Sequence, residues 1–117
     1  MSSIAEELSG AEVYQVAFVR DYVQFGLHSD DGDVGITAVT DPEVLIGGRK
    51  FGRDDVGWRD ALCKLIGSRV RAASVSDDEF RVAFDADAVL TVSLLGNEYS
   101  PEAVHVFGKG TWILNSN

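Results

Sequence analysis

Apolar residues at every second position, twice in succession, constrain this chain more than any other feature. Val23, Phe25 and Leu27 make the first row and Val34, Ile36 and Ala38 the second, with Asp31-Gly32 between them. A period of two puts each row on one face of an extended strand. Asp-Gly is the residue pair that a tight hairpin turn requires. The chain must therefore build antiparallel sheet and bury one side of it. Val13, Val16 and Phe18 join the pattern if the alternation slips once near Tyr14-Gln15, as a β-bulge makes it do. Arg20-Asp21 reads as the turn that leads from them into Tyr22.

The pattern then recurs. Leu65, Gly67, Val70 and Asp78 repeat Leu8, Gly10, Val13 and Asp21 by residue type, each 57 positions later. Ala73, Val75, Phe80, Val82 and Phe84 repeat the apolar class of Val16, Phe18, Val23, Phe25 and Leu27 at the same offset, with a slip between Val70 and Ala73. A hairpin is expected at 85–88, an inward row at Leu90, Val92 and Leu94, and a last strand at Trp112, Ile113 and Leu114. Val44-Leu45-Ile46 reads as a short strand behind Asp41-Pro42, and Gly47 to Arg53 as a linker.

Helical signals are fewer. Ser3 stands three residues before Glu6, the spacing of a capping box, with Ile4 and Leu8 behind it. One short helical turn is expected there, stopped by Gly10. Trp58, Ala61, Leu62, Leu65 and Ile66 fall on one helical face. They predict a clear helix over 55–66, capped by Asp54 or Asp55 and ended by Gly67. The expected fold class is α+β: antiparallel sheets or a β-roll of six to eight strands. It is built from two pseudo-repeated halves, each a helix plus three or four strands. A length of 117 residues suits a single domain, 1–117, with halves at about 3–50 and 55–117.

Charge narrows the partners. The net charge is −9, which disfavours bulk binding to nucleic acid or an anionic membrane. Residues 49–71 hold seven of the ten bases and three acids, so the remaining sequence is strongly acidic. Cys63 is the one cysteine and forms no internal disulfide, which fits a reducing cytoplasm. Met1 to Glu7 has no basic start and no apolar run, so no signal peptide is expected. No apolar segment approaches membrane-spanning length.

Sequence motifs of catalysis are absent. Gly47 to Asp54 reads Gly-Gly-Arg-Lys-Phe-Gly-Arg-Asp, but a phosphate loop needs Lys and then Ser or Thr after its last glycine. Arg53 and Asp54 stand there instead, which leaves a weaker anion contact by Arg49, Lys50 and Arg53 as the functional reading. Asp30, Asp31 and Asp33 at one hairpin, and Asp85 and Asp87 at another, lack the spacing of a calcium loop and suit turn chemistry. His28, His105 and Cys63 have no zinc-ligand spacing. Cys63 is expected to be small-residue filling, buried or half-buried, on the helix. No catalytic residue, metal or cofactor is expected.

Three blocks carry a resemblance. Phe18-Val19-Arg20-Asp21-Tyr22-Val23-Gln24, Arg59-Asp60-Ala61-Leu62-Cys63 with Ile66-Gly67, and Pro101-Glu102-Ala103 together resemble a group of small bacterial single-domain proteins of unassigned function. The resemblance implies no activity. It directs attention to Arg20, Asp21, Tyr22, Gln24, Arg59 and Asp60, either as binding residues or as ion pairs that pin the helix to the sheet. Asp77-Asp78-Glu79 is a further acidic run suited to a basic partner. The expected function is a non-catalytic binding module acting through a protein partner, for example an immunity- or antitoxin-like inhibitor of a basic protein. The alternative is a small-ligand-binding domain with a pocket between the two halves, where Arg20, Tyr22 and Arg59 orient the ligand. Open strand edges also allow a homodimer.

Overall fold

The computed structural model of the protein describes residues 3–20, 22–95 and 102–115. β1 (Glu12–Val19), β2 (Tyr22–Ser29) and β3 (Gly32–Ala38) form an antiparallel meander. Val23, Phe25, Leu27, Val34, Ile36 and Ala38 are all buried on its inner side, as their spacing requires. The slip in β1 is real: the register with β2 shifts between Val13 and Gln15. A hairpin of β4 (Glu43–Ile46) and β5 (Arg49–Phe51) follows.

After α2 (Trp58–Cys63) a second meander runs through β6 (Val70–Val75), β7 (Glu79–Phe84) and β8 (Ala88–Ser93). Its first strand also shifts register, between Val70 and Ala72. β9 (Glu102–Phe107) and β10 (Thr111–Asn115) close the chain as another hairpin. A short α1 (Ile4–Leu8) precedes everything, with the Ser3 Oγ accepting from the Glu6 amide at 3.1 Å. No helix among the described residues is long and apolar enough to cross a membrane.

Two five-stranded antiparallel sheets result, in the orders β1-β2-β3-β9-β10 and β5-β4-β8-β7-β6. Their inner faces share one cluster, with Phe25, Leu27, Ile36 and Val106 from one sheet and Phe80, Val82, Leu90 and Val92 from the other. The two Leu-x-Gly-x-x-Val stretches are bonded to each other across the end of this sandwich. Gly10 N donates to Val70 O at 2.9 Å, Val70 N to Ala11 O at 2.8 Å and Gly67 N to Val13 O at 2.8 Å.

This architecture corrects the α+β expectation. Strand takes 57% and helix 10% of the described residues, and both helices are short. Nor is the molecule a helix-plus-strands pseudo-repeat of halves. β4 leaves the first meander to pair with β8, and β9 leaves the second to pair with β3. Each sheet thus draws strands from both parts of the chain, because the free edges of β3 and β8 are covered by hairpins from elsewhere.

Three local expectations also fail. The segment 55–66 is helical only from Trp58, because the Asp55 carboxylate accepts from the Gly52 amide at 2.7 Å in the preceding loop instead of capping a helix. Gly57, left-handed at φ 89°, takes the N-cap position without a side-chain bond. Ile66 and Cys63 are then exposed rather than facing the core. Gly47 to Arg53 is no linker but contains a hairpin turn. Gly47 and Gly48 have φ of 56° and 84°, the two positive values that a two-residue type I′ hairpin loop demands.

The hairpin makes a first prediction. Gly48→Ala is expected to cost ~1–2 kcal/mol, since a Cβ is strained at that φ even in open space. Gly35→Ala, where a Cβ also meets nothing within 4 Å and φ is ordinary, is expected to be nearly neutral. Urea titration of the two variants checks this; equal stabilities would remove the claim of strain. On the same hairpin the Glu43 carboxylate lies 2.7 Å from Lys50 Nζ. Its hydrogen bond, and next its charge, raise the Lys50 pKa above the usual value. That contribution is fully present at neutral pH and fades only in strong alkali. Both groups are exposed, so it is small.

Candidate functional site

The β1–β2 turn is short, so Arg20 and Tyr22 emerge at one end of the first sheet, beside the aromatic Phe18. The chain leaving β3 passes the same end as Val39, Thr40 and Asp41. Val39 N is fixed to Ala103 O at 2.8 Å, and Thr40 Oγ1 donates to Ser93 O at 3.3 Å. Trp58 opens α2 directly below, 7% exposed, and its Nε1 donates to Pro42 O at 2.9 Å. That bond ties α2 to the β3–β4 connection. The Trp58 ring meets Phe18 edge-on at 5.8 Å.

Together these segments enclose a cleft of about 400 Å³, lined by Phe18, Arg20, Tyr22, Asp41, Arg53, Trp58 and Arg59 among others. Its walls are mostly polar. The Arg59 guanidinium lies over the Phe18 ring at 5.2 Å from the centroid, a cation–π contact that holds the group at the rim. Arg53 Nη1 lies 3.2 Å from both oxygens of Asp41. Among the described residues neither Arg20 nor Arg59 has a carboxylate partner. The expectation that one of them pins the helix through an ion pair is therefore not met.

Arg20, Tyr22 and Arg59, singled out from separate blocks of sequence, come together in this cleft. Asp21 lies outside the described residues. Gln24 points away, on the outer face of the first sheet, where its Nε2 donates to Thr37 Oγ1 at 3.5 Å. Asp60 belongs to a shallow hollow beside the cleft that also includes Arg53, Trp58 and Arg59. Asp77, Asp78 and Glu79 sit at the β6–β7 turn, where the Ser76 Oγ accepts from the Asp78 and Glu79 amides at 3.2 Å each, and do not line the cleft.

The three bases of the Gly47–Arg53 stretch part company. Arg49 stacks over Phe51 at 4.9 Å and Lys50 pairs with Glu43, so only Arg53 reaches the cleft. Asp41 and Trp58 are lining residues that sequence reading did not single out as functional. The one signal for Trp58 was its place on an apolar helical face, which speaks of packing.

A second depression of about 400 Å³ crosses the outer face of the first sheet. Gly26 and Gly35 are cross-strand partners on its floor, and Tyr14 and Phe107 stand at its sides. Tyr14 stacks on His28 at 3.9 Å, and His28 Nδ1 is 2.5 Å from Asp33 Oδ1. Among the described residues no three His, Cys, Asp or Glu groups are placed to hold a metal. Three of the turn acids are engaged: Asp33 with His28, Asp31 3.8 Å from Lys109, and the Asp85 carboxylate accepting from the Arg69 amide at 3.1 Å. No protein-family model, curated protein or solved structure matches this chain.

Proposed function

We propose that the protein is a non-catalytic small-ligand-binding domain whose ligand occupies the cleft between the β1–β2 turn and the start of α2. One observation carries the reading. Arg20 and Tyr22 from the β1–β2 turn, Arg53 from the loop after β5 and Arg59 from α2 converge on a single polar cleft of about 400 Å³. Clefts of roughly 300–1,000 Å³ with a few convergent polar groups are the usual form of a small-molecule site. The floor is rigid, because Trp58 is buried and hydrogen-bonded and Val39 is bonded to β9.

Backbone NMR during titration with pooled small molecules tests it. A true ligand should shift the Trp58 indole N–H and the amides of 18–23, 40–41 and 53–59. Shifts confined to the Tyr14–Phe107 face would move the site there, and a screen in which no pool perturbs the cleft would end the reading.

A second reading keeps the protein partner and rests on a different observation. Glu6, Glu7, Asp31 and Asp33 gather around Lys109 at the far end of the first sheet, where α1 meets two hairpin turns. Glu7 Oε1 accepts from the Lys109 amide at 2.5 Å, which fixes α1 against the β9–β10 turn. Such an end suits an inhibitor of a basic protein, since complementary charge speeds encounter. Capture from lysate in rising salt is the check. Under this reading, retained basic proteins are released by salt and lost with Glu6→Lys or Asp31→Lys; retention indifferent to both would discard it.

A further inference from the structure

The ligand reading leaves the chemistry of the ligand open, and the charge in the cleft decides it. Three guanidiniums, Arg20, Arg53 and Arg59, face one carboxylate, Asp41, among the lining residues. The chain as a whole carries −9. Ten bases are outnumbered by nineteen acids, yet three of the ten collect at one cleft. Like charges brought together in a concavity repel unless something compensates them. Asp41 compensates Arg53, with both oxygens 3.2 Å from its Nη1. Arg20 and Arg59 have no such carboxylate among the described residues, and Arg59 is held in place by Phe18 rather than by an anion.

We infer that the cleft binds a small dianion, one carrying a phosphate monoester or a pair of carboxylates. This rests on the proposed ligand cleft and specifies its occupant. Guanidinium groups present paired N–H donors that match both oxyanions, and charge-assisted bonds of this kind are the strong ones. The Tyr22 hydroxyl and mostly polar walls suit a hydrophilic body around those charges. A volume of about 400 Å³ leaves room for more than a bare inorganic ion. Acidic surroundings repel anions elsewhere on the molecule, so the arginines give selectivity of place as well as affinity. Asp41 then acts as a built-in competitor, occupying Arg53 until the ligand arrives.

Calorimetric titration with charge-matched pairs tests the inference. Glucose 6-phosphate against glucose probes the phosphate source, and succinate against succinamide the carboxylate source. One charged probe should bind where its neutral counterpart does not, more weakly as salt rises. Arg20→Gln and Arg59→Gln should each weaken Kd by about tenfold or more. Asp41→Asn should tighten it several-fold, by freeing Arg53 and removing a repelling carboxylate. That opposite sign cannot arise from a folding defect. If uncharged compounds shift the cleft resonances while both anions fail, the dianion is wrong and the ligand cleft stands. If no compound of either kind binds there, both fall. Anion binding that Arg20→Gln, Arg59→Gln and Asp41→Asn leave unchanged also overturns the inference.

Discussion

Phe80→Ala is expected to destabilise the protein by ~3–5 kcal/mol, the usual loss for emptying a buried aromatic site. Phe80 is fully buried on the inner face of β7. Its cross-strand partners are Val75 on β6 and Val92 on β8. Both are β-branched and stiff about χ1, so they cannot swing in to fill the space. A domain of ordinary stability has only ~5–15 kcal/mol in all, so this loss is a large share. For a chain of this length it corresponds to a fall in Tm of ~10–20 °C. The control is Arg81→Ala, one residue along the strand and exposed on the other face. It should change stability by ~0.5 kcal/mol or less. Equilibrium urea unfolding of the two variants gives the answer. Similar losses from both would mean that β7 does not present one face to a shared core.

Trp58→Ala is expected to cost ~3–5 kcal/mol as well, and Trp58→Phe ~1–3 kcal/mol. The difference has a physical origin. Alanine removes the ring that fills the space between α2, β1 and the β3–β4 connection. Phenylalanine keeps most of the apolar volume but strands the Pro42 carbonyl, whose buried partner is the indole N–H at 2.9 Å. A buried acceptor left unpaired carries its full desolvation cost. Both variants should also weaken the proposed binding at the cleft, because Trp58 meets Phe18, over which Arg59 is held at the rim. Thermal melts with and without a cleft-binding probe separate the two effects. Trp58→Phe matching the unmodified protein in stability would show that the hydrogen bond adds nothing.

The strands were readable because their signals are short-range. Val23-Phe25-Leu27 and Leu90-Val92-Leu94 each bury one face, and the two bulges fall where the alternation slips. Ser3 and Glu6 mark the first helical turn through a bond spanning three residues. Readings that leaned on a single local period went wrong where a loop competed. Asp55 fits a helix cap by sequence, yet the Gly52 amide takes its carboxylate. Gly47-Gly48 fits a linker by composition, yet two adjacent positive φ values make it a hairpin turn. Ile66 fits the helical stripe, yet the helix ends at Cys63 and the side chain turns out to solvent.

The cleft was half visible. Arg20, Tyr22 and Arg59 stood out from their blocks, but nothing in those blocks joined them to Arg53 or Asp41. Arg53 and Asp41 come from either side of the β4–β5 hairpin, and their pairing exists only because that hairpin folds back. By itself the sequence determined where the strands of the two meanders run, which side of the alternating rows such as Val23-Phe25-Leu27 is buried and where the β2–β3 hairpin turns. Those properties depend on side-chain alternation and backbone sterics within a few residues. Tertiary structure alone decided which sheet each hairpin joins, that Cys63 faces water and that three arginines share one cleft. These depend on which free strand edges and apolar faces find each other across the whole chain, and no local period encodes that competition.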